Sequence, residues 1–178
     1  MKMLFKDNND QSFFDEFGYI IYRNVLTEEI KSIDKLYSES LKNTPKEGLY
    51  ESTGANDSDK NIYTSSVIKD TVQKFIENKF KDYSLYGGAF LVKSTLKSTE
   101  LHLHQDWSFI DEQADSAGFI WMPLQEVDKN NGTIYLLEKS HAFFNRYRSG
   151  AYNSELISRY MIPEEFIKPV ILNRGDIL

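Results

Sequence analysis

Apolar positions follow two regimes along the chain. In the first eighty residues they recur at helical spacing; beyond Asp82 they come in short runs broken by glycine, asparagine and aspartate. Phe13, Phe14 and Phe17 predict a short helix over 10–17, capped by Asp10 or Ser12 and ended by Gly18. Residues 19–22 read as a strand. Ile30, Ile33, Leu36, Tyr37 and Leu41 predict a longer helix, from a Thr27 cap to about Lys42, with its apolar stripe in the core. The polar stretch 43–62 predicts a surface loop, long enough to suggest a lid or binding loop. Val67, Ile68, Val72, Phe75 and Ile76 predict a third helix over 65–80.

After Asp82 the expected elements are strands. They span 83–96 (with Gly87-Gly88 marking a bulge or a close backbone approach), 101–106, 118–127, 133–137, 166–172 and a last one starting at Ile177. Pro123 implies an edge or bulge in the third of these. Asn131-Gly132 predicts a hairpin between 118–127 and 133–137, and 173–176 a second turn. Short helices are expected at 141–146 and 154–160. Helices first and strands second make an α+β plan. It suits a jelly-roll, cupin-like barrel with the N-terminal helices packed on one side. One domain, 1–178, is expected, with a helical part over 1–82 and barrel strands over 83–178.

Composition narrows the function classes. The net charge of −6 argues against a nucleic-acid partner, because phosphate binding needs a basic surface, and gives no support to a membrane-surface role. The absence of cysteine removes disulfides, thiolate metal sites and a cysteine nucleophile, and fits a cytoplasmic compartment. The N-terminus lacks the apolar run of a signal peptide, and no segment approaches the length of a membrane span. Aromatic residues make up 14% of the chain and suit strands and a walled pocket for a small molecule.

The candidate chemistry sits in Glu100-Leu-His-Leu-His104-Gln-Asp106-Trp107. On a strand, His104 and Asp106 leave the backbone on one face. An imidazole and a carboxylate side by side are two of the three ligands of the facial triad that holds non-haem Fe(II). Spacing alone is weak: with 3 His and 27 Asp+Glu, about one such pair arises by chance in every two chains of this composition. His102 shares the face of His104 but stands roughly 13 Å along a strand from Asp106, too far to share one cation.

Five blocks together resemble the phytanoyl-CoA dioxygenase family over nearly the whole chain. They are Phe14-Asp-Glu-Phe-Gly-Tyr-Ile-Ile-Tyr-Arg-Asn-Val-Leu26, His104-Gln-Asp-Trp107, Trp121-Met-Pro-Leu-Gln-Glu-Val-Asp-Lys-Asn-Asn-Gly132, Tyr135-Leu-Leu-Glu-Lys-Ser-His141 and Arg174-Gly-Asp-Ile-Leu178. The resemblance implies a double-stranded β-helix and an Fe(II)- and 2-oxoglutarate-dependent oxygenase that uses O2 to hydroxylate a small organic metabolite. It implies His104 and Asp106 as iron ligands, and Gln105 and Trp121 as residues near the oxoacid. The carboxylate of Asp106 favours hydroxylation over halogenation, since related halogenating enzymes lack it. His141 takes a chiefly structural role. No basic cluster suited to CoA phosphates is visible, so the substrate stays open; residues 43–62 and 108–117 are candidates for the pocket mouth.

Two departures bear on activity. Lys139 stands where the family usually has glycine. The family's second iron-binding histidine, and the arginine for the oxoacid's far carboxylate, lie beyond the block that ends here at Leu178. The expectation is therefore a chain whose C-terminal strands are missing and that belongs to a longer oxygenase. The alternatives are a catalytically inactive barrel remnant, a small-molecule binding module, or a cupin-like enzyme using another divalent metal.

Overall fold

A computed structural model describes residues 3–40, 48–52, 58–94, 101, 103–106, 110–112, 114–144 and 162–178. They form a mixed α+β arrangement of three α-helices and two small antiparallel sheets. Helix α1 spans Asn8–Phe17, α2 Ile30–Ser40 and α3 Ser58–Lys79. Strand β1 (Leu49–Glu51) pairs with β2 (Leu91–Lys93), and β3 (Tyr135–Leu137) with β4 (Ile167–Pro169). No helix among the described residues is long and apolar enough to cross a membrane.

The helices form where apolar periodicity meets a cap. The carboxylate of Asp7, not Asp10 or Ser12, opens α1 by accepting from the backbone N–H of Asn9 (2.7 Å) and Asp10 (3.1 Å). Those bonds hold its pKa below the ordinary aspartate value. The buried Gln11 accepts from the N–H of Leu4 and Phe5 and folds the entering chain against the helix. Gly18 closes α1 in the left-handed conformation (φ 82°), its N–H donating to Phe14 O at 2.8 Å. Helix α2 starts three residues past Thr27. Its Ile30, Ile33 and Leu36 are buried as the spacing predicts.

Helix α3 corrects the boundary of the expected loop. It begins at Ser58 rather than Ser65 because its first two turns are solvated, with Ile62 and Tyr63 exposed, and so carry no apolar signal. The 43–62 stretch also contains β1, and its residues 43–47 and 53–57 lie outside the described residues. Close backbone approach explains Gly88: a Cβ there would stand 2.4 Å from Ile68 Cγ2 on α3.

The strands are shorter than predicted, and their partners are non-local. Of the described residues 83–94 only 91–93 form a ladder, and residues 103–106 form none. The turn at Asn131-Gly132 exists, with Thr133 N–H donating to Asp128 O at 3.2 Å. Its two arms nevertheless do not make the expected hairpin: Val127 pairs with Leu172, and Tyr135–Leu137 with Ile167–Pro169. Both arms thus run along one later strand. Of the two expected short helices, the first is a 3-10 turn at Ser140–Ala142 and the second, 154–160, lies outside the described residues.

Three buried clusters share this frame. Leu26, Ile30, Val72, Ile76 and Ile177 form one, and Ile33, Leu36, Ile68 and Phe90 the second. Met122 and Leu124 pack on both. The third, Val127, Val170 and Leu172, carries Ile21, Trp121, Leu136 and Leu178 on its edge.

The C-terminal residues tie the frame together. Ile177 exchanges backbone hydrogen bonds with Tyr22 (2.8 and 2.9 Å), and Leu178 with Trp121 (2.8 and 3.0 Å). Just before them the carboxylate of Asp176, only 2% exposed, accepts from Asn24 N–H (2.8 Å), Asn173 N–H (2.9 Å) and the Arg23 guanidinium (2.7 Å). Burial pushes its pKa up; the two N–H donors and Arg23 outweigh that and hold it below the ordinary value. A depressed carboxylate stabilises the fold above the unfolded-state pKa of 3.8 and loses that contribution as pH falls through its folded value. Asp176→Asn should therefore cost about 1.5–3 kcal/mol in urea unfolding at pH 7. The gap to the parent protein should narrow steadily below about pH 4. A gap independent of pH would show that the charge of Asp176 is not what holds the turn.

Candidate functional site

His104 and Asp106 lie on a stretch of irregular backbone, yet their side chains converge. His104 Nε2 stands 3.3 Å from Asp106 Oδ1, with the two side chains 39% and 50% exposed. Two atoms bound side by side to one metal, at bonds of roughly 2.0–2.2 Å and a right angle, stand roughly 3 Å apart. The spacing thus fits two donors on one edge of a coordination octahedron. Among the described residues no third histidine, cysteine, aspartate or glutamate completes a metal-holding cluster with them. His102 and Trp107 lie outside the described residues.

The other expected site residues part company. The Gln105 carboxamide donates to Phe144 O at 2.8 Å, so it clamps the 104–106 segment to the turn after β3. Trp121 packs its indole on the Val127–Val170–Leu172 cluster. It does not line the cleft described next.

That cleft opens beside His104 and encloses about 120 Å³. Its walls come from the end of α1 and Tyr19, from residues 103–105, and from β3 with the following turn. None of its lining comes from the described residues of 43–62 or 108–117, the expected mouth. The Tyr19 hydroxyl donates to Glu138 at 2.6 Å. Burial first, and then the Glu138 carboxylate, raise its pKa to about 12, so it stays a neutral phenol. Glu138 also accepts from Lys168, and these two bonds hold its carboxyl below the ordinary range.

Two left-handed residues fix the wall between α1 and β3. Lys139 adopts φ 63° and donates its N–H to Phe17 O at 3.0 Å. Its ammonium pairs with Glu16 at 2.9 Å and lies 4.9 Å from the centre of the Phe17 ring. A left-handed residue is where glycine is least strained, so lysine here carries a backbone strain that glycine would not. His141 packs its ring flat on Gly18: a Cβ on Gly18 would stand 2.3 Å from His141 Nδ1. The ring's Nε2–H donates to Asp15 O at 3.0 Å, supplying a partner to a carbonyl at the end of α1. Its Nδ1 is buried and, among the described residues, has no hydrogen-bond partner. His141 is thereby a structural histidine, with both ring edges directed at α1.

Compared with known proteins, the chain matches no family model, no curated protein and no solved structure.

Gly18→Ala should cost about 3 kcal/mol, from left-handed strain together with the collision on the imidazole. In a His141→Ala background the same substitution should cost only about 1–2 kcal/mol, the strain alone. Unfolding of the four proteins of that double-mutant cycle measures the difference. At Lys139, glycine should give a protein about 1 kcal/mol more stable than alanine does, because both lose the ion pair and only alanine keeps the left-handed strain.

Proposed function

We propose that this chain carries the metal pair of an Fe(II)- and 2-oxoglutarate-dependent dioxygenase that hydroxylates a small organic molecule, resembling the phytanoyl-CoA dioxygenase family. The observation that supports this reading best is the 3.3 Å approach of His104 Nε2 to Asp106 Oδ1, brought about by the two residues that the resemblance assigns to iron. The finer fold that goes with it is a double-stranded β-helix, to which the pairing of residues 127–137 with 167–172 would contribute neighbouring strands.

In this reading His104 supplies a neutral imidazole nitrogen and Asp106 an anionic oxygen. Together they fix two adjacent positions and leave the rest for the oxoacid, O2 and one further ligand. Iron and 2-oxoglutarate, when bound, supply oxidising power from O2 for an unactivated C–H bond; succinate and CO2 are the co-products. The chain's own residues do the positioning. Gln105, through Phe144 O, holds the ligand segment against the turn after β3. An outer contact of this kind sets the direction in which the ligands point. Trp121, on its hydrophobic cluster, fixes the backbone that pairs with Leu178 rather than touching the iron pair.

The net charge of −6 and the lack of a membrane-crossing helix among the described residues sit comfortably with a small-molecule substrate. A second reading, a barrel that binds a small molecule without turnover, rests on there being two rather than three metal-holding side chains among the described residues.

Anaerobic titration with Fe(II), followed by O2- and 2-oxoglutarate-dependent succinate formation, separates the two. The oxygenase reading expects both metal binding and succinate. His104→Ala should weaken the metal by more than about 100-fold, since it removes a direct ligand rather than an outer contact. An intact, iron-loaded protein that forms no succinate would defeat the oxygenase reading.

A further inference from the structure

The cleft beside His104 has a size and a lining that restrict what can enter it. We propose that it seats an uncharged aromatic ring or short branched alkyl group of the ligand, carrying one hydrogen-bonding atom. The claim rests on the reading of His104 as a metal ligand and adds the chemical class of the substrate.

Volume sets the first limit. A cavity of about 150 Å³ lined by aliphatic and aromatic side chains holds benzene. The 120 Å³ available here takes a six-membered ring only when one side faces the open mouth, or a branched chain of about five carbons. The walls set the second. Phe17, Tyr19 and Tyr135 present rings, and Leu103 and Leu137 alkyl groups. Such surfaces hold apolar groups by burial and ring contact.

Charge sets the third limit. Among the described residues the lining carries no lysine, arginine, aspartate or glutamate. The nearest cation in sequence, Lys139, is turned to Glu16 and the Phe17 face. Away from the metal pair, a phosphate or carboxylate in the cleft would lose its hydration without an ionic partner among the described lining residues, which is costly. Beside the metal pair, the polar side chains that line it among the described residues include Gln105, Ser140 and His141. They suit one hydroxyl or carbonyl.

The wall is also built to hold its shape. The contacts of Lys139 with Phe17 O and of His141 with Gly18 and Asp15 O lock α1 to the turn after β3. A preformed cleft binds a small rigid group without first ordering itself.

The test uses methyl-labelled protein, with phenol and cyclohexanol as neutral probes, and benzoate and adenosine 3′,5′-bisphosphate as charged ones. The neutral probes should shift the methyl resonances of Leu103, Leu136 and Leu137 saturably, and the charged ones should not. Leu137→Trp, which fills the cleft, should weaken phenol more than tenfold. Tyr135→Ala, at an exposed wall position that the fold tolerates, should weaken it several-fold. Adding Mn(II) in place of iron should broaden the bound phenol signal in the parent protein, and not in His104→Ala.

The outcomes separate the two claims. Mn(II) bound at His104 with no probe in the cleft overturns the cleft assignment and leaves the oxygenase reading standing. Phenol held in the cleft without Mn(II) binding upholds the ligand class and removes the metal reading. Equal binding of benzoate and phenol overturns the neutral-group claim.

Discussion

The buried carboxylate of Asp176 is the constraint on which the described arrangement depends. It takes up the N–H groups of Asn24 and Asn173 and one face of the Arg23 guanidinium, so two segments some 150 residues apart in sequence meet at one charge. The backbone completes the join: Val25 and Leu26 donate to Gly175 O at 3.0 Å each. Gly175 can approach because it has no side chain; a Cβ there would stand 2.6 Å from Leu26 O, and its φ of 92° suits glycine alone. Asn24, at φ 51°, is the residue type that best tolerates the matching left-handed turn. With the join made, Ile177 enters the first core cluster and Leu178 reaches Trp121. An unpaired charge at that depth would cost several kcal/mol, so the donors and the carboxylate stand or fall together.

Legibility in the sequence followed the range of the interactions. Helix α2 was readable because Ile30, Ile33 and Leu36 report burial on a single face of one local segment. The opening turns of α3 were not, because a solvated helix end has the composition of a loop. The Asn131-Gly132 turn was readable, since Asp128 and Asn131 make its bonds within five residues: Asn130 N–H donates to Asp128 and Asp128 N–H to Asn131, each at 2.7 Å. The partner of its arms was not, because residues 167–172 are selected by packing of Val127, Val170 and Leu172 and not by any local pattern. At the candidate site the juxtaposition of residues 104 and 106 was available from spacing, although the strand expected to produce it is absent from the described residues there. The placing of Gln105 on Phe144 O was not available, since a carboxamide bond to a carbonyl 39 residues away leaves no trace in local composition.

Two short connections link that frame to the cleft. Tyr22 pairs with Ile177, and three residues earlier Tyr19 lines the cleft and reaches Glu138. On the other side, β3 pairs with β4, whose continuation Leu172 leads to the Asp176 turn. Both walls of the cleft are therefore extensions of elements fastened by the C-terminal join. The side carrying His104 is fastened to the turn after β3, where Gln105 donates to Phe144 O.

That arrangement bears on how a metal at this position would work with its substrate. A rigid apolar wall can hold the non-reacting part of a ligand, and binding energy from that part is what brings a particular C–H bond to a reactive centre. A half-exposed pair of ligands needs less: its two atoms are already at the separation that one cation requires, so a metal there would replace an imidazole–carboxylate contact without separating the chains that carry it. A cation at that edge would also offset part of the local negative charge in a chain of net −6, favouring its own retention. Placement of the reacting carbon would then be decided by the wall, and reactivity by the pair. The two duties would fall on neighbouring segments that meet where Gln105 donates to Phe144 O, so a change in that part of the lining would reach the ligands as well.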